Sequence, residues 1–152
     1  MKPKMQMMDR IKANPPRVNL EEVRPKIADL ASKHKLVMVV LFGSQVTDRI
    51  HPNSDIDIAV MPDRQKKLNV DELYGELTSV FGTNNVDLAV LTHAHPLLWW
   101  QVARDGILVY SRNERDWPLF KTRAMKSYSD FRRFEKYWVQ HVDQALKRWK
   151  AR

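Results

Sequence analysis

The chain has 152 residues, 43% of them hydrophobic and none of them Cys, with a formal net charge of +8. That length supports one compact core and is short for two ordinary domains, while the lack of Cys excludes disulfide staples, thiolate metal sites and a cysteine nucleophile. No stretch has the apolar core of a signal peptide or the length of a membrane span, so the sequence reads as a soluble, cytoplasmic protein.

Residues 1–18 hold Pro3, Pro15 and Pro16 among polar residues without periodicity and read as a flexible arm. From Asn19 to His34, Val23, Ile27, Leu30 and Ala31 recur at helical spacing, and Pro25 suits only the first turn of such a helix. Leu36 to Phe42, LVMVVLF, reads as a strand covered on both faces, closed by Gly43. Asp55 to Met61, DIDIAVM, is a second strand, and a polar loop follows it. Asn69 then opens a helix to Phe81, with Glu72 at the capping-box position and Gly82 as its stop. Asn85 to Leu91 gives a third strand. Pro96 starts another helix that runs to Asp105, with Gly106 as terminator, and Ile107 to Tyr110 adds a short edge strand.

Beyond Asn113 only helical periodicity remains, with Phe120, Ala124, Phe131, Phe134, Trp138, Val142, Ala145 and Trp149 in an aromatic stripe. Residues 112–152 hold twelve Lys/Arg against five Asp/Glu, so the basic excess lies in this tail. It either solvates a helix face or attracts an acidic protein, a nucleotide or nucleic acid, and with no recognisable RNA-binding module in the chain nucleic acid is not expected as the direct substrate. Strands alternating with helices predict an α/β or α+β sheet flanked by helices. We expect a core over residues 19–112 and, over 113–152, a helical extension of the same domain.

The chemistry concentrates in Gly43-Ser44, a spacer of ten residues, Asp55-Ile56-Asp57, and then Asp87 within VDLAVL. Residues two apart on a strand share a face, so Asp55 and Asp57 stand side by side, and their charges repel without a cation between them. With Asp87 level on a neighbouring strand, three carboxylates offer hard oxygen ligands suited to Mg²⁺, which commonly also takes substrate phosphates. Gly43 lets the backbone approach phosphate oxygens closely, and Ser44 adds a hydroxyl and an N–H. Together these groups point to nucleotidyl transfer from a nucleoside triphosphate. His51, His93 and His95 read as loop and cap residues. Of Trp99 and Trp100, at least one belongs to the core.

The segment GSQVTDRIHPNSDIDIAV resembles the signature of the polymerase-beta-type nucleotidyltransferase superfamily, which is Gly-Ser, a spacer and Asp-x-Asp. With PLLWWQVARDGILVYSR and SYSDFRRFEKY, the chain is similar more narrowly to the minimal nucleotidyltransferases of the MntA antitoxin type, which pair with HEPN-domain toxins. The resemblance implies a small polymerase-beta-like sheet and Mg²⁺-dependent transfer of AMP from ATP to a tyrosine of the toxin, silencing its RNase activity. It further implies Asp55, Asp57 and Asp87 as catalytic and metal-binding residues, with Gly43 and Ser44 at the triphosphate. Where members often carry an Ala-Arg-Gly-like stretch, this chain has Val46-Thr47-Asp48-Arg49, and Arg49 is the basic residue offered to the nucleotide. Two other readings stay open: an antitoxin that acts by binding alone, and transfer to a small-molecule acceptor.

Overall fold

The computed structural model describes residues 18–46 and 54–151. The expected N-terminal arm lies outside the described residues apart from Val18, which packs on the core. Helix α1, Leu20–Lys33, begins where the side chain of Asn19 accepts a hydrogen bond from the N–H of Glu21. Its first turn holds Glu21 and Glu22, where the helix dipole favours acidic groups. Val23, Ile27, Leu30 and Ala31 form the buried face expected from their spacing. Pro25 corrects the expectation: it lies beyond the first turn, inside the helix. The backbone bond it forfeits would have gone to the carbonyl of Glu21, and both residues are exposed, so water can serve that carbonyl.

Four strands follow the order β3-β2-β1-β4. β1, Leu36–Phe42, pairs antiparallel with β2, Ile56–Pro62, and with β4, Ile107–Ser111, while β3, Val86–Val90, runs parallel to β2. The unbroken apolar run of β1 is explained by its central place. Val39 and Leu41 enter one core with Ile56, Ile58, Val60 and the buried residues of α1 and of α2, Val70–Phe81. Met38 and Val40 enter a second core with Ala59, Leu91, Val102 and Phe120, under α3, Pro96–Asp105, and α4, Asp116–Lys150. Alternate side chains of one strand thus serve opposite layers.

Helix α2 is capped as its sequence indicates. The Asn69 side chain accepts from the N–H of Glu72 at 3.3 Å, and Gly82 closes the helix in the left-handed region with φ +66°. Gly106 ends α3 differently, with an extended backbone at φ −67°. Glycine is required there for room, because a Cβ would lie 2.5 Å from Cγ1 of Val40. His95 is the N-cap of α3, its Nδ1 accepting from the N–H of Leu97 at 3.2 Å, and its ring meets Phe131 edge-on. Trp99 is the tryptophan of the core: its indole N–H donates to the carbonyl of Leu91 at 2.7 Å and its ring tilts against Phe120. Trp100 instead stacks on Tyr128, with centroids 5.3 Å apart.

Candidate active site

The candidate site forms where β1 ends and β2 and β3 begin. Phe42 is paired with Asp57 across β1 and β2, so the turn that follows Phe42 is delivered beside Asp57. Gly43–Gln45 makes that turn as a short 3-10 helix, with Gly43 at φ +69°, in a region that side chains disfavour. Space imposes glycine as well. A Cβ on Gly43 would overlap a carboxylate oxygen of Asp57 and stand 2.7 Å from its Cγ. The backbone N–H of Ser44 donates to the Asp57 carboxylate. The glycine-serine turn and the second aspartate of the Asp-x-Asp pair are therefore in contact, although twelve residues separate Ser44 from Asp57 in sequence.

Asp87 enters through strand register. In the parallel pairing of β2 with β3, Asp57 lies opposite Asp87. Asp55 sits one residue ahead of β2, which corrects the expectation that the strand starts there. The first ladder position falls to Ile56, whose N–H donates to the carbonyl of Asn85 at 2.8 Å. Asp55 and Asp87 are exposed and Asp57 is half-buried. Burial first, and then the negative charges of Asp87 and Asp55, hold the Asp57 carboxyl above the usual carboxylate range, against the opposing pull of the Ser44 N–H. The three carboxylates are thus electrostatically coupled around Asp57. They do not all approach within 4.8 Å of one another. Arg49 and His51 lie outside the described residues.

A second acidic cluster was not anticipated from the sequence. His34, Glu72 and Glu76 bring ligand atoms within 4.8 Å of one another and could hold a metal ion. The ammonium of Lys33 already lies against this group, donating to Glu72 at 2.9 Å and also to Glu76, whose other oxygen meets His34 Nε2 at 3.0 Å. Hydrogen bonds from Lys33 and then His34 hold the Glu76 carboxyl below its usual range, and hydrogen bonds to Glu76 and then Glu72 raise Lys33. The sequence signal for this cluster is weak, since His34, the C-cap of α1, lies 38 or more residues before Glu72 and Glu76 of α2, where an exposed charge is ordinary. Among the described residues no helix is long and apolar enough to cross a membrane.

A mixed sheet whose first strand ends in a glycine-serine turn, placed against an Asp-x-Asp segment on the next strand, defines a nucleotidyltransferase core. Residues 25–115 match the model of the family described as polymerase beta, nucleotidyltransferase. A protein adenylyltransferase MntA from Aphanizomenon flos-aquae is 32% identical over 124 residues, covering 75% of this chain and 83% of that relative. A solved toxin-antitoxin structure with AMP-PNP includes a chain similar to this one with a TM-score of 0.65 at 30% identity, covering 78% of this chain and 97% of that one. A complex of a tri-AMPylated Shewanella oneidensis HEPN toxin with its MNT antitoxin gives 0.62 at 26% identity, covering 81% and 98%. The chain belongs to the polymerase beta nucleotidyltransferase family, within its MntA-like protein adenylyltransferases, and is an enzyme of that class.

Proposed function

We propose that this protein is an antitoxin that transfers AMP from ATP to a tyrosine of a cognate HEPN-domain toxin, with Asp55, Asp57 and Asp87 as its catalytic and metal-binding residues. The observation that carries the reading is the contact of the Gly43-Ser44 turn with Asp57, with Asp87 level with Asp57 on the next strand. One half of that arrangement suits phosphate oxygens and the other suits a cation. The similarity to an MntA adenylyltransferase and to antitoxin chains solved with their toxins supports the choice of acceptor.

The donor set fits a hard divalent ion. All three side chains are carboxylates, and burial first and the negative charge of Asp87 next raise the Asp57 carboxyl, a surrounding that a cation would relieve. When bound, Mg²⁺ neutralises these groups and withdraws charge from the triphosphate. The rest falls to the chain. The Gly43-Ser44 turn holds triphosphate oxygens, with the Ser44 hydroxyl as a donor, while the Ser44 N–H keeps the Asp57 carboxylate in place beside them. The tyrosine oxygen of the acceptor attacks the α-phosphorus of ATP. The bond from that phosphorus to the oxygen bridging it to the β-phosphate breaks, and pyrophosphate leaves. Asp87, the exposed member of the cross-strand pair, accepts the phenolic proton. Arg49 is assigned to the triphosphate by its position in the sequence alone.

The test is transfer of label from α-³²P-ATP, with Mg²⁺, to the cognate HEPN-domain toxin. Label should appear on the toxin with the wild-type chain, silence its RNase activity, and vanish with Asp55→Ala/Asp57→Ala. Silencing that persists in that variant without label would replace this reading with an antitoxin that acts by binding alone.

A further inference from the structure

The second half of α4 has no counterpart to pack on. The helix spans 35 residues, roughly 52 Å at 1.5 Å per residue. Its first turns cover the sheet, with Phe120 and Ala124 buried and Phe131 meeting His95. From Arg132 to Lys150 every residue is exposed. Phe134, Trp138 and Trp149 are 61%, 59% and 74% accessible. The family match ends at residue 115, one position before α4 begins, so this helix is an addition to the nucleotidyltransferase core.

The apolar stripe is ordered and begins at the half-buried Phe131. Phe131, Phe134, Trp138, Val142, Ala145 and Trp149 follow one another at steps of three or four, continuing the face that buries Phe120 and Ala124. Their 18-residue span in five steps gives the 3.6-residue period of a straight helix. The successive four-residue steps from Phe134 to Trp138 to Val142 break the heptad that a two-stranded coiled coil of two copies would need. Charge argues the same way. Residues 132–150 hold six Lys/Arg against two Asp/Glu. A second copy would lay two such cationic segments about 8–10 Å apart, within the range of like-charge repulsion at physiological salt. An exposed aromatic face of this extent marks an interface, and an isolated helical stretch of about five turns is marginal in water without one.

We propose that Phe131–Trp149 is a docking helix that lays its aromatic stripe in an apolar groove with an acidic surround on the acceptor protein. The inference rests on the functional reading above, and the occupant is the HEPN-domain toxin that the site modifies. Trp138 and Trp149 are the anchors. The positive charge of the segment draws the acidic partner in and discourages self-pairing. Docking through α4 is separate from the aspartates, so an enzyme disabled in transfer should still hold its acceptor.

The test measures binding of the full chain to purified cognate HEPN-domain toxin by titration calorimetry, with AMP transfer followed in parallel. Trp138→Asp/Trp149→Asp should weaken binding at least about 100-fold. Tyr137→Asp, exposed on the same helix but off the stripe, should stay within about threefold and serves as the control for helix integrity. Asp57→Asn should bind like the wild type while losing transfer. Unchanged binding by the double tryptophan variant overturns the docking helix, and label transfer by the wild type would then leave the functional reading standing. A wild-type dimer in sedimentation, dissolved by the same double substitution, would overturn it in favour of a second copy. A toxin neither bound nor labelled by the wild type would remove the functional reading itself.

Discussion

On the helical side of the molecule, Glu72 and Glu76 face the ammonium of Lys33; at the ends of the strands, Asp57 faces Asp87 and Asp55. The first group carries its own counterion. Its hydrogen bonds lower the Glu76 carboxyl and raise Lys33, so each partner stabilises the charge of the other. In the second group the neighbours are like charges and the Asp57 carboxyl is raised. On our proposal, tight convergence of ligand atoms is therefore a poor guide to the reactive site here. The cluster whose ligand atoms converge holds a cation of its own, and the aspartates, among the described residues, face one another beside the Gly43-Ser44 turn that we propose holds phosphate.

The largest effect should come from removing charge at the aspartates. Asp57→Asn should lower AMP transfer by on the order of 10²–10⁴-fold. Its thermal midpoint should be no lower than that of the wild type. A carboxyl whose folded pKa is raised opposes folding once ionised, so a neutral amide relieves that opposition. Transfer assays and calorimetric melting on the same preparation measure both halves. Gly43→Ala should combine comparable loss of transfer with loss of stability. The left-handed backbone costs a side chain roughly 1–2 kcal/mol, and the new Cβ displaces the Asp57 carboxylate. Urea unfolding would measure the stability and the same assay the activity.

At the Lys33 cluster the effects should be structural and smaller. Asn69→Ala removes the cap of α2 and a contact to Glu72, and should cost about 1 kcal/mol in urea unfolding, with transfer unchanged. Lys33→Ala should leave transfer within about twofold, because the ion pairs it breaks are exposed and weak. A large loss of transfer there would undo the distinction between the two clusters.

The smallest expected effect concerns Asp63, which sits at the opposite end of β2 from Asp57. Its carboxyl is lowered by the N–H of Gln65 first and by Arg112 second. A lowered folded pKa gives stability that is full above the ordinary value of 3.8 and fades as pH falls through the lower folded value. Arg112→Ala should therefore melt slightly below the wild type at neutral pH. The gap should close in scans carried below pH 3.8.

Much of this was legible in the sequence because local rules agreed with the fold. The β1 run, the Asn69 cap and the Gly82 stop each stand where the residues indicated. Gly43-Ser44 and the Asp-x-Asp pair announced a site because the chemistry requires those types in that order. Asp87 needed one further fact, the parallel register of β2 and β3, which periodicity does not supply. Pro25 was misplaced because the rule against helical proline assumes a buried or necessary hydrogen bond, and here the bond lies toward solvent. The Lys33 cluster was invisible because the approach of α1 to α2 is a tertiary fact. The aromatic stripe of α4 was visible, but its division into a covered first part and an exposed remainder depends on where the sheet ends.

The most direct measurement is the location of Mn²⁺, as an anomalous scatterer in place of Mg²⁺, in crystals of the protein with AMP-PNP. Our account predicts manganese bound by Asp55, Asp57 and Asp87 beside the triphosphate, with the Gly43-Ser44 turn on the phosphate oxygens. Manganese at His34, Glu72 and Glu76, with none at the aspartates, would contradict it.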